Sequence, residues 1–129
     1  MDQVLKKSLL SLIGSVEGLC QIFVADREGV PIVYAAAPNS ADTLPRPQLL
    51  TTYQNALEQS SKLNLGAQKQ MVCMYGNSQL VLLHCPPLTV TLIATSGANT
   101  GMLIALRPQL QPILQQINKI TAEALPKYE

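Results

Sequence analysis

The chain has no tryptophan, a single phenylalanine (Phe23), a single histidine (His84), and 13% charged residues, about half of the ~25% usual for globular proteins. Each scarcity removes a class of function. With aromatics at 4%, there is little to stack on bases. The nine Lys and Arg are scattered, only Lys6 and Lys7 are adjacent, and the net charge is +1. That is too thin a footprint for a nucleic acid or an anionic membrane surface. Cys20, Cys73 and Cys85 are odd in number, widely spaced and without a CxxC pair, which argues against a disulfide framework or a zinc site. Each sits in an apolar run, as expected for buried, reduced thiols in a reducing compartment. No apolar run is long enough to span a bilayer. The first 18 residues, interrupted by Ser8 and Ser11, are not expected to act as a signal peptide. Asp2 is incompatible with N-myristoylation and the C-terminus is not a prenylation box, so direct membrane insertion is not expected. If the protein works on a membrane, another chain should carry it there.

What is present is apolar. Hydrophobic residues make up 47% of 129 residues, which suits one folded domain over 1–129 that buries about two-thirds of its unfolded surface. So few charges leave apolar surface that a partner would hide. Leu5, Leu9, Leu12 and Val16 lie at helical spacing behind a possible cap at Asp2. "LCQIFVAD" and "VPIVYAAA" read as a hairpin around the turn Asp26-Arg27-Glu28-Gly29, with Pro31 at a sheet edge or a strand start. After a loop over 38–47, a helix starts near Pro47 with the stripe Leu49, Leu50, Tyr53, Ala56, Leu57 and Ser60, and Gly66 is a plausible stop. "QKQMVCMY", "SQLVLLHC" and "LTVTLIAT" are three further strands, separated by Gly76-Asn77 and Pro86-Pro87; the threonines of the last should point outward. From Leu103 to Ala124 one apolar face keeps helical phase past Pro108 and Pro112. The unbroken phase favours one long helix kinked near Pro108 over a helix that begins at Arg107.

The order is α-ββ-α-βββ-α, an α/β (α+β) fold with a five-stranded, mainly antiparallel sheet and helices on both faces. Strands 1 and 5 are apolar on both sides and belong at the centre. Strand 3 falls at an edge, yet Met71, Val72, Cys73, Met74 and Tyr75 are apolar without a break. An exposed edge of that kind invites aggregation unless something covers it, and a strand added by another chain is the simplest cover.

Catalytic chemistry is poorly supplied. "SGANTGMLIAL" places a glycine-rich turn between a strand and a helix, a common setting for phosphate binding. But Gly97 and Gly101 lack the spacing of a P-loop, Met102 stands where a lysine is needed, and the strand before them is antiparallel. The turn reads instead as close packing permitted by Gly97 and Gly101, with Asn99 or Thr100 capping the helix. His84 and Cys85 are neighbours on a strand and point to opposite faces, so they make no nucleophile–base pair. Asp26 and Glu28 share a solvated turn. No catalytic, cofactor-binding or metal-ligating set emerges.

Three strings carry a resemblance: "SVEGLCQIFVADREGVPIV", "SSKLNLGAQKQMVCMYGNSQLV" and "SGANTGMLIAL". In order and spacing, over nearly the whole chain, they are similar to the MEK-binding scaffold subunits of the Ragulator complex, a late endosomal and lysosomal adaptor group of the roadblock superfamily. Departures gather at the N-terminus, the 35–44 loop and the last helix, where Pro108, Pro112 and the tail after Leu125 look particular to this chain. The resemblance implies a roadblock, profilin-like fold and a non-enzymatic scaffold that works without a cofactor. It implies a heterodimer with a second roadblock-family subunit through the middle helix and third strand, here Leu50, Tyr53, Leu57, Met71, Val72, Cys73, Met74 and Tyr75. It also implies a lipid-anchored Ragulator subunit that holds the pair on late endosomes or lysosomes, recruitment of Rag GTPases for TOR signalling, and presentation of the MEK and ERK kinases to each other. The competing expectation is a nucleotide-binding or GTPase-regulating enzyme that uses the Gly97–Gly101 turn.

Overall fold

The computed structural model describes residues 3–38 and 47–124. Its elements are α1 (Gln3–Ser15), β1 (Leu19–Ala25), β2 (Pro31–Ala36), α2 (Pro47–Ser61), β3 (Gln70–Met74), β4 (Ser78–Cys85), β5 (Leu88–Thr95), α3 (Thr100–Ile104) and α4 (Arg107–Ala124). The strands form one sheet in the order β2-β1-β5-β4-β3, and every neighbouring pair is antiparallel. β1 and β5 are interior and β3 is an edge, as their composition requires. β2 is the other edge and Pro31 its first residue, so the missing amide donor leaves no ladder bond unmade.

Local chemistry explains most boundaries. Leu5, Leu9 and Ile13 line the buried side of α1 at four-residue spacing, and Leu12 is only half-buried; the expected cap at Asp2 lies outside the described residues. The β1–β2 turn is closed by Asp26, whose Oδ1 accepts from the amides of Glu28 and Val30, each at 2.9 Å. Gly29 completes it at φ 82°, a conformation that side chains resist. α2 ends before the expected stop at Gly66. Its last turn tightens through Lys62 N to Gln59 O and Leu63 N to Ser60 O, and Asn64 takes the left-handed position at φ 56°. Asparagine tolerates that region better than most residues that carry a side chain.

The expected single C-terminal helix is two. α3 stops at Ile104 and α4 restarts at Arg107, because Pro108 has no amide to give Ile104 and its ring crowds that carbonyl. In the first turn of α4 the missing donor is harmless. Leu103, Leu106, Leu110, Ile113, Leu114 and Ile117 are nevertheless all buried, so the apolar phase survives the break. The side chain of Ala124 lies outside the described residues.

The glycines of "SGANTG" are also placed differently from expectation. A Cβ at Gly97 would meet nothing within 4 Å, and at Gly101 only the Asn99 amide oxygen at 3.3 Å. The close approach is at Gly18, φ 91°, where a Cβ would stand 2.6 Å from Thr95 Oγ1 and 3.0 Å from Ala98 Cβ. Asn99 is the cap of α3: its side chain accepts from Met102 N at 3.0 Å.

Candidate functional site

Strand pairing sorts the sheet's side chains into two faces. On one face lie the cross-strand rows Val72·Val81·Leu92·Ile22·Ala35 and Gln70·Leu83·Val90·Val24·Val33. α1, α3 and α4 cover this face. A contiguous cluster of 22 buried side chains joins Leu5 and Leu9 of α1 to Ile22 and Leu92 of the sheet and to Leu103, Leu110 and Ile117 of the C-terminal helices. On the other face lie the rows Met71·Leu82·Thr91·Phe23·Tyr34 and Cys73·Leu80·Ile93·Gln21·Ala36. Here α2 packs Leu50 on Phe23 and Ala25, with Tyr34 beside them. Thr91 belongs to this face and is fully buried; the expected outward orientation is correct in phase, but the β1 side of the face is covered by α2.

That cover stops part-way. Met71 and Cys73 of β3, with Leu80 and Ile93 alongside, are only half-buried. At the edge itself Val72 is exposed, Met74 is 68% exposed and Tyr75 is 59% exposed. β3 makes its ladder with β4 alone, so its outer row of backbone groups pairs with no strand among the described residues. The sequence-selected residues therefore fall into two groups. Met71, Val72, Cys73, Met74 and Tyr75 gather at this edge, and Leu57 is half-buried on α2. Leu50 and Tyr53 do not join them: they are 6% and 1% exposed and serve to seat α2 on its own sheet. Leu80 and Ile93 belong to the same shelf but were not selected, because both lie inside strands that read as uniformly apolar and only the pairing register reveals their face.

Two polar side chains hold the edge in position. Arg107, at the start of α4, donates Nη2 to Lys69 O at 2.7 Å and Gln70 Oε1 at 3.2 Å, and Nη1 to His84 O at 3.2 Å. It thus ties the start of β3 and the end of β4 to the last helix. Gln79, opposite Met74, is buried and satisfied: Nε2 donates to Thr95 O and Ala98 O, and Oε1 accepts from Thr100 Oγ1 at 2.6 Å. This node fixes the "SGANTG" turn to β4. A lone glutamine inside "SQLVLLHC" was its only trace in the sequence.

The other chemical candidates resolve into structure. His84 and Cys85 point to opposite faces. Burial pushes the Cys85 thiol up, opposed by Arg107, whose Nη1 is 3.4 Å from Sγ, so this thiol is held protonated rather than activated. In the glycine-rich turn Ser96 N donates to Asn77 O and Ala98 N to Thr95 O, and in the first turn of α3 Met102 N donates to Asn99 Oδ1 and Leu103 N to Asn99 O. Among the described residues no group of three or more His, Cys, Asp or Glu is placed to hold a metal, and no helix is long and apolar enough to cross a membrane.

Comparison with known proteins agrees with this geometry. Solved structures with the same fold include Myxococcus xanthus MglB (TM-score 0.72, 14% identity, 91% of this chain and 96% of that one) and a Roadblock/LC7 domain from Streptomyces avermitilis (TM-score 0.60, 13% identity, 85% and 97%). At such identity they establish the fold alone: a roadblock fold. The Ragulator complex protein LAMTOR3 of Homo sapiens and that of Gallus gallus are each 39% identical over 120 residues, covering 93% of this chain and 97% of theirs. Residues 2–121 match the family described as mitogen-activated protein kinase kinase 1 interacting, and the chain belongs to that family.

Proposed function

We propose that the chain is a non-enzymatic scaffold subunit, a single roadblock domain that heterodimerises with a second roadblock-family protein. The observation that carries this is the outer strand: an apolar edge with free ladder positions, continuous with the half-buried shelf of Met71, Cys73, Leu80 and Ile93. A partner that adds its own edge strand extends the sheet, and its helix fills the shelf, so one docking event removes both liabilities. Leu57, Met71, Val72, Cys73, Met74 and Tyr75 form the contact; Leu50 and Tyr53 act indirectly, by holding α2 in place.

Relatives that bear the Ragulator name and a family described by its kinase kinase interaction support the wider role. In that role the dimer sits on the cytoplasmic face of late endosomes or lysosomes, held by a lipid-anchored Ragulator subunit. It supports recruitment of Rag GTPases for TOR signalling and brings MEK and ERK together. The enzyme alternative is disfavoured by the turn at Gly97–Gly101, which has Met102 where a P-loop needs a lysine and follows a strand paired antiparallel on both sides. Co-purification of Met74→Lys with the roadblock partner tests the interface, because a lysine in the joint sheet leaves a buried charge unpaired. Unchanged recovery of the complex would sink the edge-pairing reading. Calorimetry with GTP and ATP tests the alternative: saturable binding lost in Gly101→Val would revive it.

A further inference from the structure

The chain holds four methionines and three cysteines, and of these Met71, Cys73 and Met74 crowd into the five-residue strand β3. Their placements differ. Met71 and Cys73 lie on the sheet face that α2 covers and are half-buried. Met74 stands on the opposite face and is 68% exposed. Its backbone is open as well. Tyr75 N donates to Ser78 O at 2.8 Å and His84 N to Lys69 O at 2.9 Å, so residues 69 and 75 turn their backbone groups towards β4. Antiparallel pairing alternates these positions, which directs the N–H and C=O groups of Gln70, Val72 and Met74 at the open side. Met74 therefore presents both a thioether and a free ladder position at the edge. Met102, the other exposed methionine among the described residues, is 48% exposed on α3, outside the proposed contact.

An accessible thioether is open to oxidation by a hydroperoxide. The sulfur lone pair attacks the terminal peroxide oxygen, and the S–O bond forms as the O–O bond breaks. The proton on the attacked oxygen passes to the leaving oxygen, which departs as water or an alcohol. Sulfur loses two electrons and the peroxide gains them. The product is a polar sulfoxide, which methionine sulfoxide reductases return to the thioether. In the free chain the new oxygen is solvated and disturbs the fold little. In an apolar contact it gives up its water with no donor in exchange, so the burden falls on docking.

We propose that Met74 is a redox modification site: sulfoxidation by a hydroperoxide in the free chain closes the β3 edge to its partner, and docking in turn shields the sulfur. The inference rests on the heterodimer reading of that edge. The full chain is treated with hydrogen peroxide until peptide mass spectrometry shows one added oxygen at Met74. Its affinity for the roadblock subunit that co-purifies with the untreated chain is then measured by calorimetry. Oxidation should weaken binding about tenfold, and a methionine sulfoxide reductase should restore it. Met74→Leu, of similar volume and inert to peroxide, should bind the partner before treatment and keep its affinity afterwards, which excludes Met71, Met102 and the cysteines as the cause. In the assembled complex Met102 should oxidise as it does in the free chain, while Met74 is spared. The inference is overturned by full affinity in a chain oxidised at Met74, by an equal loss in treated Met74→Leu, or by equal oxidation of Met74 in the free chain and in the complex. An untreated chain that pairs with no roadblock subunit sinks the heterodimer reading itself, and this inference with it.

Discussion

The two faces of the sheet are finished to different degrees. The face under α1, α3 and α4 is closed by this chain's own side chains in one continuous cluster. The face under α2 has a small buried cluster around Phe23, Ala25 and Leu50, and on the β3 side it is left half-covered. Three helices serve one face and a single 15-residue helix serves the other. Fully burying a Leu, Ile or Phe side chain is worth about 1.5–3 kcal/mol. The first face therefore supplies most of the chain's own apolar burial, and the second leaves apolar surface that the proposed partner would bury. A fold can be stable alone and still be incomplete when the two tasks fall on opposite faces.

Substitutions that separate the faces test that contrast. The largest effect is expected at the centre of the closed face: Leu92→Ala, with Leu92 wholly buried, should cost about 2–5 kcal/mol in denaturant unfolding. A loss below 1 kcal/mol would mean that this face is not the source of stability. Next is the node that braces the edge. Gln79→Leu strands the Thr95 and Ala98 carbonyls and the Thr100 hydroxyl, and should cost about 1–3 kcal/mol. A neutral result would show that water replaces the glutamine. At the β1–β2 turn, Asp26→Ala removes the acceptor of two amides and should cost about 1 kcal/mol, read as a fall in Tm. The smallest monomer effect belongs to the open side: Met74→Lys should change unfolding by no more than about 0.5 kcal/mol, because the side chain is solvated. If it unfolds the free chain, Met74 belongs to the monomer's core and the contrast between the faces fails.

Legibility followed the same division. The order of the strands and of the first two helices, the interior places of β1 and β5, the Pro31 edge and the apolar β3 edge were all readable, since strand alternation, turn chemistry and the properties of proline are local. The errors came where two local rules competed. Helical phase from Leu103 onward argued for one helix, and the backbone chemistry of Pro108 prevailed. Gly66 looked like the better helix stop, and Asn64 took the left-handed position first. The glycines at 97 and 101 drew attention through their motif, while Gly18, the one under real steric demand, stood alone in sequence and became visible only when Thr95 and Ala98 were brought against it. For the site, an apolar edge strand announces itself by composition. Whether Leu50 and Tyr53 face this chain or another depends on how far α2 reaches across the sheet, which no local pattern records.

The sequence by itself determined a five-stranded antiparallel fold and an apolar strand at an edge, because these rest on residue spacing and on what single residue types permit, and its strings carried the resemblance to its family. Only the tertiary structure decided which apolar residues the chain keeps for its own core and which it leaves open. That choice is made by register and by the placement of α2, which join residues far apart in sequence through contacts that exist only once the sheet has formed.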